Sequence, residues 1–324
     1  MTNQKNKRTA ILKLAGHLGA IFTMMCWGSS FISTKVLMGD DVGFTPQEMY
    51  TYRFAAAYLI LLAISFRKIF SDSWRDEISF MICGICSGSL YYILENYALQ
   101  MTTTGNVSLL ASISPLFTTL LMAVLFRTRI SSGTYIGSVL AFSGVAFVIF
   151  NQGFQSLEIH PRGDLLALCA SLAWAVYSIV VKRLLPIYNG IFITRKLFFY
   201  GVLSSIPLLL IHFDPNHLGM LVDFHRPNII LNFLFLVVMC SIVGFLIWNE
   251  VMRILGPVTA NNYLYMQPLV TLVVAYFVFD EKIFLNGYLG CILIIGGLII
   301  ADKWNPRVRV RFPLRTFSKR KPKQ

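Results

Sequence analysis

The chain has 324 residues, of which 56% are hydrophobic and 13% charged, and a mean hydropathy of +0.65 carried in long apolar runs excludes an ordinary soluble domain. A net charge of +13 raises the question of nucleic acid, but the basic residues sit in short loops and at the two ends, a distribution that belongs to membrane topology. All six cysteines, Cys26, Cys83, Cys86, Cys169, Cys240 and Cys291, fall inside apolar runs, so no disulfide framework is implied.

A hydrocarbon core of roughly 30 Å asks for about 20 apolar residues per helix. Ten segments meet that demand: about 14 to 37, 49 to 66, 78 to 100, 104 to 126, 132 to 150, 164 to 185, 193 to 213, 229 to 252, 257 to 279 and 284 to 303. The expected fold is an all-α membrane protein of ten transmembrane helices. A cytoplasmic arm takes residues 1–13, five spans fill 14–150, a linker covers 151–162, five more spans fill 163–303, and a basic tail runs over 304–324.

The first span carries Trp27, Ser30, Phe31 and Thr34 on one helical face, too polar for lipid, and ends on Lys35. Arg53 opens the second, where it is expected to snorkel to the outer headgroups. The third brings Tyr91 and Glu95 onto one face, four residues apart, with Asn96 beside them. Pro115 stands at the centre of the fourth and frees the carbonyl of Ala111, while Asn106 and Ser114 make the same face polar. The fifth is apolar, with Gly137, Ala141 and Gly144 at the spacing that lets helices approach closely, as a scaffold or a dimer surface.

The sixth span repeats the first with Trp174, Tyr177, Ser178 and Lys182, and Glu250 lies at the end of the eighth. The ninth repeats the central proline with Pro268, freeing Leu264, and lines its polar face with Thr259, Tyr263 and Gln267, next to Asn262. The tenth carries Gly290, Gly296 and Gly297.

These echoes form an internal repeat. A shift of 153 positions lays Asn96 on Asn249, Pro115 on Pro268, Gly137 on Gly290 and Gly144 on Gly297, and a shift of 147 lays Trp27 on Trp174 and Lys35 on Lys182. Five spans per copy turn the second copy upside down. The charges follow: the fourth span ends on Arg127 and Arg129, its copy on Asp280 and Glu281, and with the amino terminus inside, 23 of 28 basic residues fall on the cytoplasmic side. Two inverted five-helix repeats with both termini cytoplasmic are the expected topology.

In the order Trp27-Gly28-Ser29-Ser30-Phe31 to Lys35, Arg53, Tyr97-Ala98-Leu99, Asn106 to Pro115, Gly163-Asp164 to Trp174, Pro268, Glu281 and Gly290 to Gly297, the chain resembles the EamA-type members of the drug/metabolite transporter superfamily over nearly its whole length. The resemblance implies ten helices as two inverted repeats, a bacterial cytoplasmic membrane, and export of small metabolites such as amino acids. Where that family often has Glu at the end of the fourth span this chain has Thr128, which leaves any role of that acid to Glu281.

The expected solute site is lined by Trp27, Tyr91, Asn106, Trp174, Tyr177, Asn262 and Gln267, with Lys35, Glu95, Lys182 and Glu250 as gating or coupling groups, since a charge kept inside a span is costly. No catalytic residue, metal site or cofactor is expected. His160, His212, His217 and His225 read as solvated outer-loop histidines, and their spacing matches no metal template. The expected partners are a small-molecule solute and membrane lipid, including anionic headgroups at the basic tail, and no nucleic acid, for a monomer or homodimer. A membrane sensor or assembly factor on the same fold, or a sugar-phosphate-type exchanger, are the alternative readings.

Overall fold

A computed structural model describes residues 2–39, 42–102, 104–127, 130–150, 160–211, 214–221, 223–279 and 284–303. The regular elements among the described residues are helices: α1 Thr2–Met38, α2 Pro46–Ile64, α3 Trp74–Ser87, α4 Ser89–Met101, α5 Thr104–Ala111, α6 Ser114–Phe126, α7 Ser132–Ile149, α8 Pro161–Leu184, α9 Gly190–Ile211, α10 Pro215–Met220 and α11 Pro227–Leu234. A π-helix, Phe235–Val243, then leads into α12 Gly244–Leu255, followed by α13 Pro257–Asn262, a 3-10 turn Tyr263–Tyr265, α14 Met266–Phe279 and α15 Leu285–Lys303.

Eight helices among the described residues are long and apolar enough to cross a membrane. The second and ninth predicted segments are not in that set. The first turns of α2 are polar, and the ninth segment is divided among α13, the 3-10 turn and α14. Apolar side chains such as Val124, Leu210 and Phe277 point outward, as lipid contact requires and water would penalise. The predicted linker for the most part, the acids Asp280 and Glu281, Thr128 and the basic tail lie outside the described residues.

Local chemistry starts the helices where the chain can spare a donor. Proline opens α2, α8, α11 and α13, where its missing N–H costs nothing. At α2 a capping box adds to this: Thr45 Oγ1 accepts from the Glu48 amide, and Glu48 accepts from the Thr45 amide at 2.9 Å. Gly256, at φ +83°, ends α12 in a conformation that L side chains rarely adopt.

Both central prolines break their helices where the freed carbonyl predicts. The chain leaves α5 at Ala111 and resumes as α6 at Ser114, just before Pro115, and it tightens to the 3-10 turn at Tyr263–Tyr265 before Pro268. The third predicted span is also broken, at Gly88. A Cβ there would collide with the Tyr50 hydroxyl and the Gly84 carbonyl, so only glycine admits α2 so close.

Contacts come in pairs related by exchanging the two halves. The first span α1 packs on the π-helix, α12 and α14, while its counterpart α8 packs on α3, α4 and α6. The tightest pair is α7 with α15. A Cβ on Gly144 would fall 2.7 Å from the Gly290 carbonyl oxygen, and Gly137 meets Gly297 in the same way. Moving seven residues forward in α7 moves seven backward in α15, so the two run antiparallel. Since Gly137 corresponds to Gly290 and Gly144 to Gly297, the seam is self-complementary. Gly296 takes no part, having nothing within 4 Å of a would-be Cβ. The core lies elsewhere, among α1, α2, α3, α8, α9, the π-helix and α12, with a smaller cluster of Ala141, Val145, Val148, Tyr265 and Ile294 along the seam.

Candidate functional site

Aromatic rings from both halves meet in the centre of that core. Trp27 of α1 stands edge-on to Trp174 of α8 at 5.8 Å between centroids, and these are the two residues the repeat equates. Tyr91 of α4 lies 5.7 Å and Tyr177 5.2 Å from the Trp174 ring, while Phe245 and Trp248 of α12 each lie 5.2 Å from Trp27. Edge-to-face geometry of this kind adds to plain burial and holds the rings in place.

Polar groups fix the two indoles. Trp27 Nε1 donates to the Cys240 carbonyl at 2.9 Å, inside the π-helix, and Trp174 Nε1 donates to Asn261 Oδ1 at 3.1 Å. Asn261 also donates from Nδ2 to Thr118 Oγ1 at 3.1 Å, so the ninth, sixth and fourth segments share one network. Two further donors of the cluster, the Tyr177 hydroxyl and Trp248 Nε1, are buried without a hydrogen-bond partner among the described residues. An unmet buried donor costs about 1–3 kcal/mol.

Of the residues expected to line a solute site, Trp27, Tyr91, Trp174 and Tyr177 therefore come together. Asn262 is buried but faces the seam, where its Oδ1 accepts from Ser138 at 3.4 Å; its neighbour Asn261 reaches the aromatic cluster. Gln267 is half-buried on α14, and its carbonyl accepts from Thr271. The side chains of Asn106 and Lys35 lie outside the described set. Glu95 accepts from the Tyr91 hydroxyl at 2.9 Å. Lys182 Nζ sits 5.4 Å from the Phe126 ring, and the Glu250 carboxylate is paired with Arg253.

Two side chains depart from their expected places. Arg53 does not reach the outer surface: it is buried, its Nε donates to Ser241 Oγ at 2.6 Å, and its guanidinium lies 5.1 Å from the Phe54 ring. His217 is not solvated; its Nδ1 is 2.9 Å from Glu48, which is sealed from solvent and also accepts from the Asp214 amide. Arg195 and Lys196 are buried as well. Arg195 donates to the carbonyls of Ser65 and Lys68, and Lys196 is paired with Glu77, itself hydrogen-bonded by Tyr200.

The last of these belongs to a network at the ends of α3, α8, α9 and α12. Asp76 accepts from Arg183 at 3.2 Å and from the Tyr188 hydroxyl at 3.0 Å, and Arg253 donates to the Leu185 and Tyr188 carbonyls. Burial, helped by Asp76, pushes Tyr188 up to about 12, so its hydroxyl keeps the proton it donates. The sequence signal for this network was three acids, Asp72, Asp76 and Glu77, in the segment that also carries Arg67, Lys68 and Arg75. One recess of about 10 Å³, room for a single water, is lined by Tyr50, Ser89, Tyr92 and Asn96 among others.

The EamA-like transporter family matches the chain twice, over residues 14–150 and 161–301, which are the two repeats. An uncharacterized transporter of Archaeoglobus fulgidus is 26% identical over 88% of this chain and 96% of its own length. A probable terminal-alkyne amino-acid exporter of Streptantibioticus cattleyicolor is 26% identical over 79% of this chain and 82% of its own. A solved crystal structure shares the fold at a TM-score of 0.72 and 16% identity, covering 91% of this chain and 99% of that one.

Proposed function

Since this chain belongs to the EamA-like transporter family, we propose that it is a secondary carrier exporting a small amino-acid-like metabolite across a bacterial cytoplasmic membrane by alternating access. Membership makes it a multi-pass membrane transporter and not an enzyme. The finer reading rests on one observation: Trp27 and Trp174, equivalent residues of the two halves, are edge-on at 5.8 Å in the buried centre. A rocking of one half against the other opens such a junction to each side in turn.

On this reading ten spans form two inverted repeats with both termini cytoplasmic. Trp27, Tyr91, Asn106, Trp174, Tyr177, Asn262 and Gln267 line the path. Lys35 and Glu95 gate or couple at the outer end, and Lys182 and Glu250 at the inner one. The exporter relative from Streptantibioticus cattleyicolor, named for an amino acid, supports the solute class.

The test is untargeted profiling of the medium around deletion and overexpression strains, followed by counterflow of the enriched compounds into proteoliposomes of the purified protein. Compounds that accumulate outside on overexpression and exchange across the liposome wall are the expected result. Trp27→Ala and Trp174→Ala should cut exchange at least tenfold while the protein still elutes as a folded peak. Exchange equal to empty liposomes for every compound would overturn the reading.

A further inference from the structure

Two opposite charges flank the aromatic cluster, and neither has an ionic partner among the described residues. Arg53 lies seven residues into α2, about 10 Å below its outer end, and is 8% exposed. Among the described residues only Nε of its five donors is engaged, by Ser241, and Glu95, on α4, accepts one hydrogen bond, from Tyr91. Tyr92 links the two: its ring lies 5.3 Å from that of Tyr91, the donor to Glu95. Tyr92 in turn packs 6.1 Å from Phe54, the ring beneath the guanidinium.

Isolated buried charges are expensive, and each becomes favourable only when paired. Here the π-helix holds the cation and the cluster together: Cys240 takes the Trp27 indole and Ser241, the next residue, takes the Arg53 guanidinium. A π segment is a rare element that tends to mark functional sites. Anchoring through Nε alone leaves the two terminal nitrogens free to form a fork, the geometry that grips a carboxylate by two parallel bonds.

We propose that Arg53 binds the carboxylate and Glu95 the ammonium of a zwitterionic amino acid, whose side chain lies against Trp27, Tyr91 and Trp174. This rests on the transport reading above and names the chemistry of its solute. One such molecule neutralises both charges at once, which neither a monoanion nor a monocation does. A single arginine is also too little positive charge for a phosphate dianion, which separates this site from that of a sugar-phosphate exchanger.

The experiment uses the purified full-length protein in nanodiscs and reads tryptophan fluorescence, because Trp27 and Trp174 border the site. The probes are L-leucine, L-phenylalanine, L-threonine and L-lysine, each as the free amino acid, the C-terminal amide and the N-acetyl derivative. At least one free amino acid should bind about ten- to hundredfold more tightly than its amide and its N-acetyl form, the range of a charged hydrogen bond. Arg53→Gln should weaken the free amino acid to the level of the amide and leave the amide unchanged. Glu95→Gln should do the same relative to the N-acetyl form, and Arg53→Lys should recover part of the lost affinity. Ser241→Ala, which removes only the Nε anchor, should weaken the free amino acid less than Arg53→Gln and serves as the variant to read where Arg53→Gln does not fold.

Equal binding of acid, amide and N-acetyl forms would overturn the assignment, as would Arg53→Gln losing all three alike or no response to any probe. Each of these leaves the transport reading standing so long as any other solute exchanges in the liposomes.

Discussion

Lys196 and Glu77 are both nearly sealed from solvent, at 4% and 5% exposure, and each is the other's compensating charge. Removing one partner strands the second. Lys196→Met should cost about 3–5 kcal/mol, seen as a lower melting temperature in detergent, whereas Lys68→Met, which breaks an exposed pair with Asp72, should cost less than about 1 kcal/mol. Equal melting temperatures for the two variants would remove the buried pair from the stability argument. A second residue-scale expectation concerns pH. Burial alone would raise the Glu48 carboxyl, but bonds from the Thr45 amide and hydroxyl, the Asp214 amide and the His217 ring outweigh it and hold its pKa below the ordinary 4.5. A carboxylate depressed on folding stabilises above its unfolded pKa, and that contribution is lost as pH falls through the folded value. Stability should therefore decline as pH drops below about 4.5, the ordinary carboxylate value, and Glu48→Gln should flatten that decline. A Glu48→Gln profile parallel to the parent would locate the acid lability elsewhere. Neither residue was legible in its true setting. Arg53 and His217 read as surface charges because their partners, Ser241 and Glu48, lie more than a hundred positions away, and no local periodicity records that.

At the scale of elements, periodicity carried further. The stripes of glycine in the fifth and tenth segments announced close packing, and α7 and α15 pack where those stripes meet; yet Gly296, one residue from Gly297, looks identical in sequence and faces away. Placing Ala at Gly144 puts its Cβ 2.7 Å from backbone atoms of α15, which no rotamer can relieve. Gly144→Ala should lower stability and yield by about 1–3 kcal/mol, while Gly296→Ala should be neutral or slightly stabilising through helix propensity. Matching yields for both would mean the seam tolerates separation. The Asn261 and Asn262 pair teaches the same limit. One step along a helix turns the side chain by about 100°; which of the two faces Trp174 depends on where Gly256 and Pro257 restart the helix and on the 3-10 turn that follows. The prolines predicted a break; its phase required the packed structure.

For the whole molecule, the repeat was the most legible feature, because Trp27 and Trp174 meet in space as they align in sequence. Inverted topology makes a prediction at this scale. In a background lacking native cysteines, a cysteine replacing Phe224, which is 86% exposed between α10 and α11, should react with an impermeant reagent from outside; one replacing Trp74, 81% exposed at the start of α3, should react only after the membrane is opened. Labelling of both from the same side would contradict two inverted copies.

The seam between α7 and α15 joins the end of the first repeat to the end of the second. On the ribosome, then, α7 enters the bilayer with its glycine face uncovered and waits for some 150 further residues to be synthesised before its partner arrives. Until that moment lipid, or the insertion machinery, must occupy the groove. Closing it is therefore a late step of biogenesis. A nascent chain halted before Leu285 should be recognised by membrane quality control as an unfinished protein, although fourteen of the fifteen described α-helices precede that point.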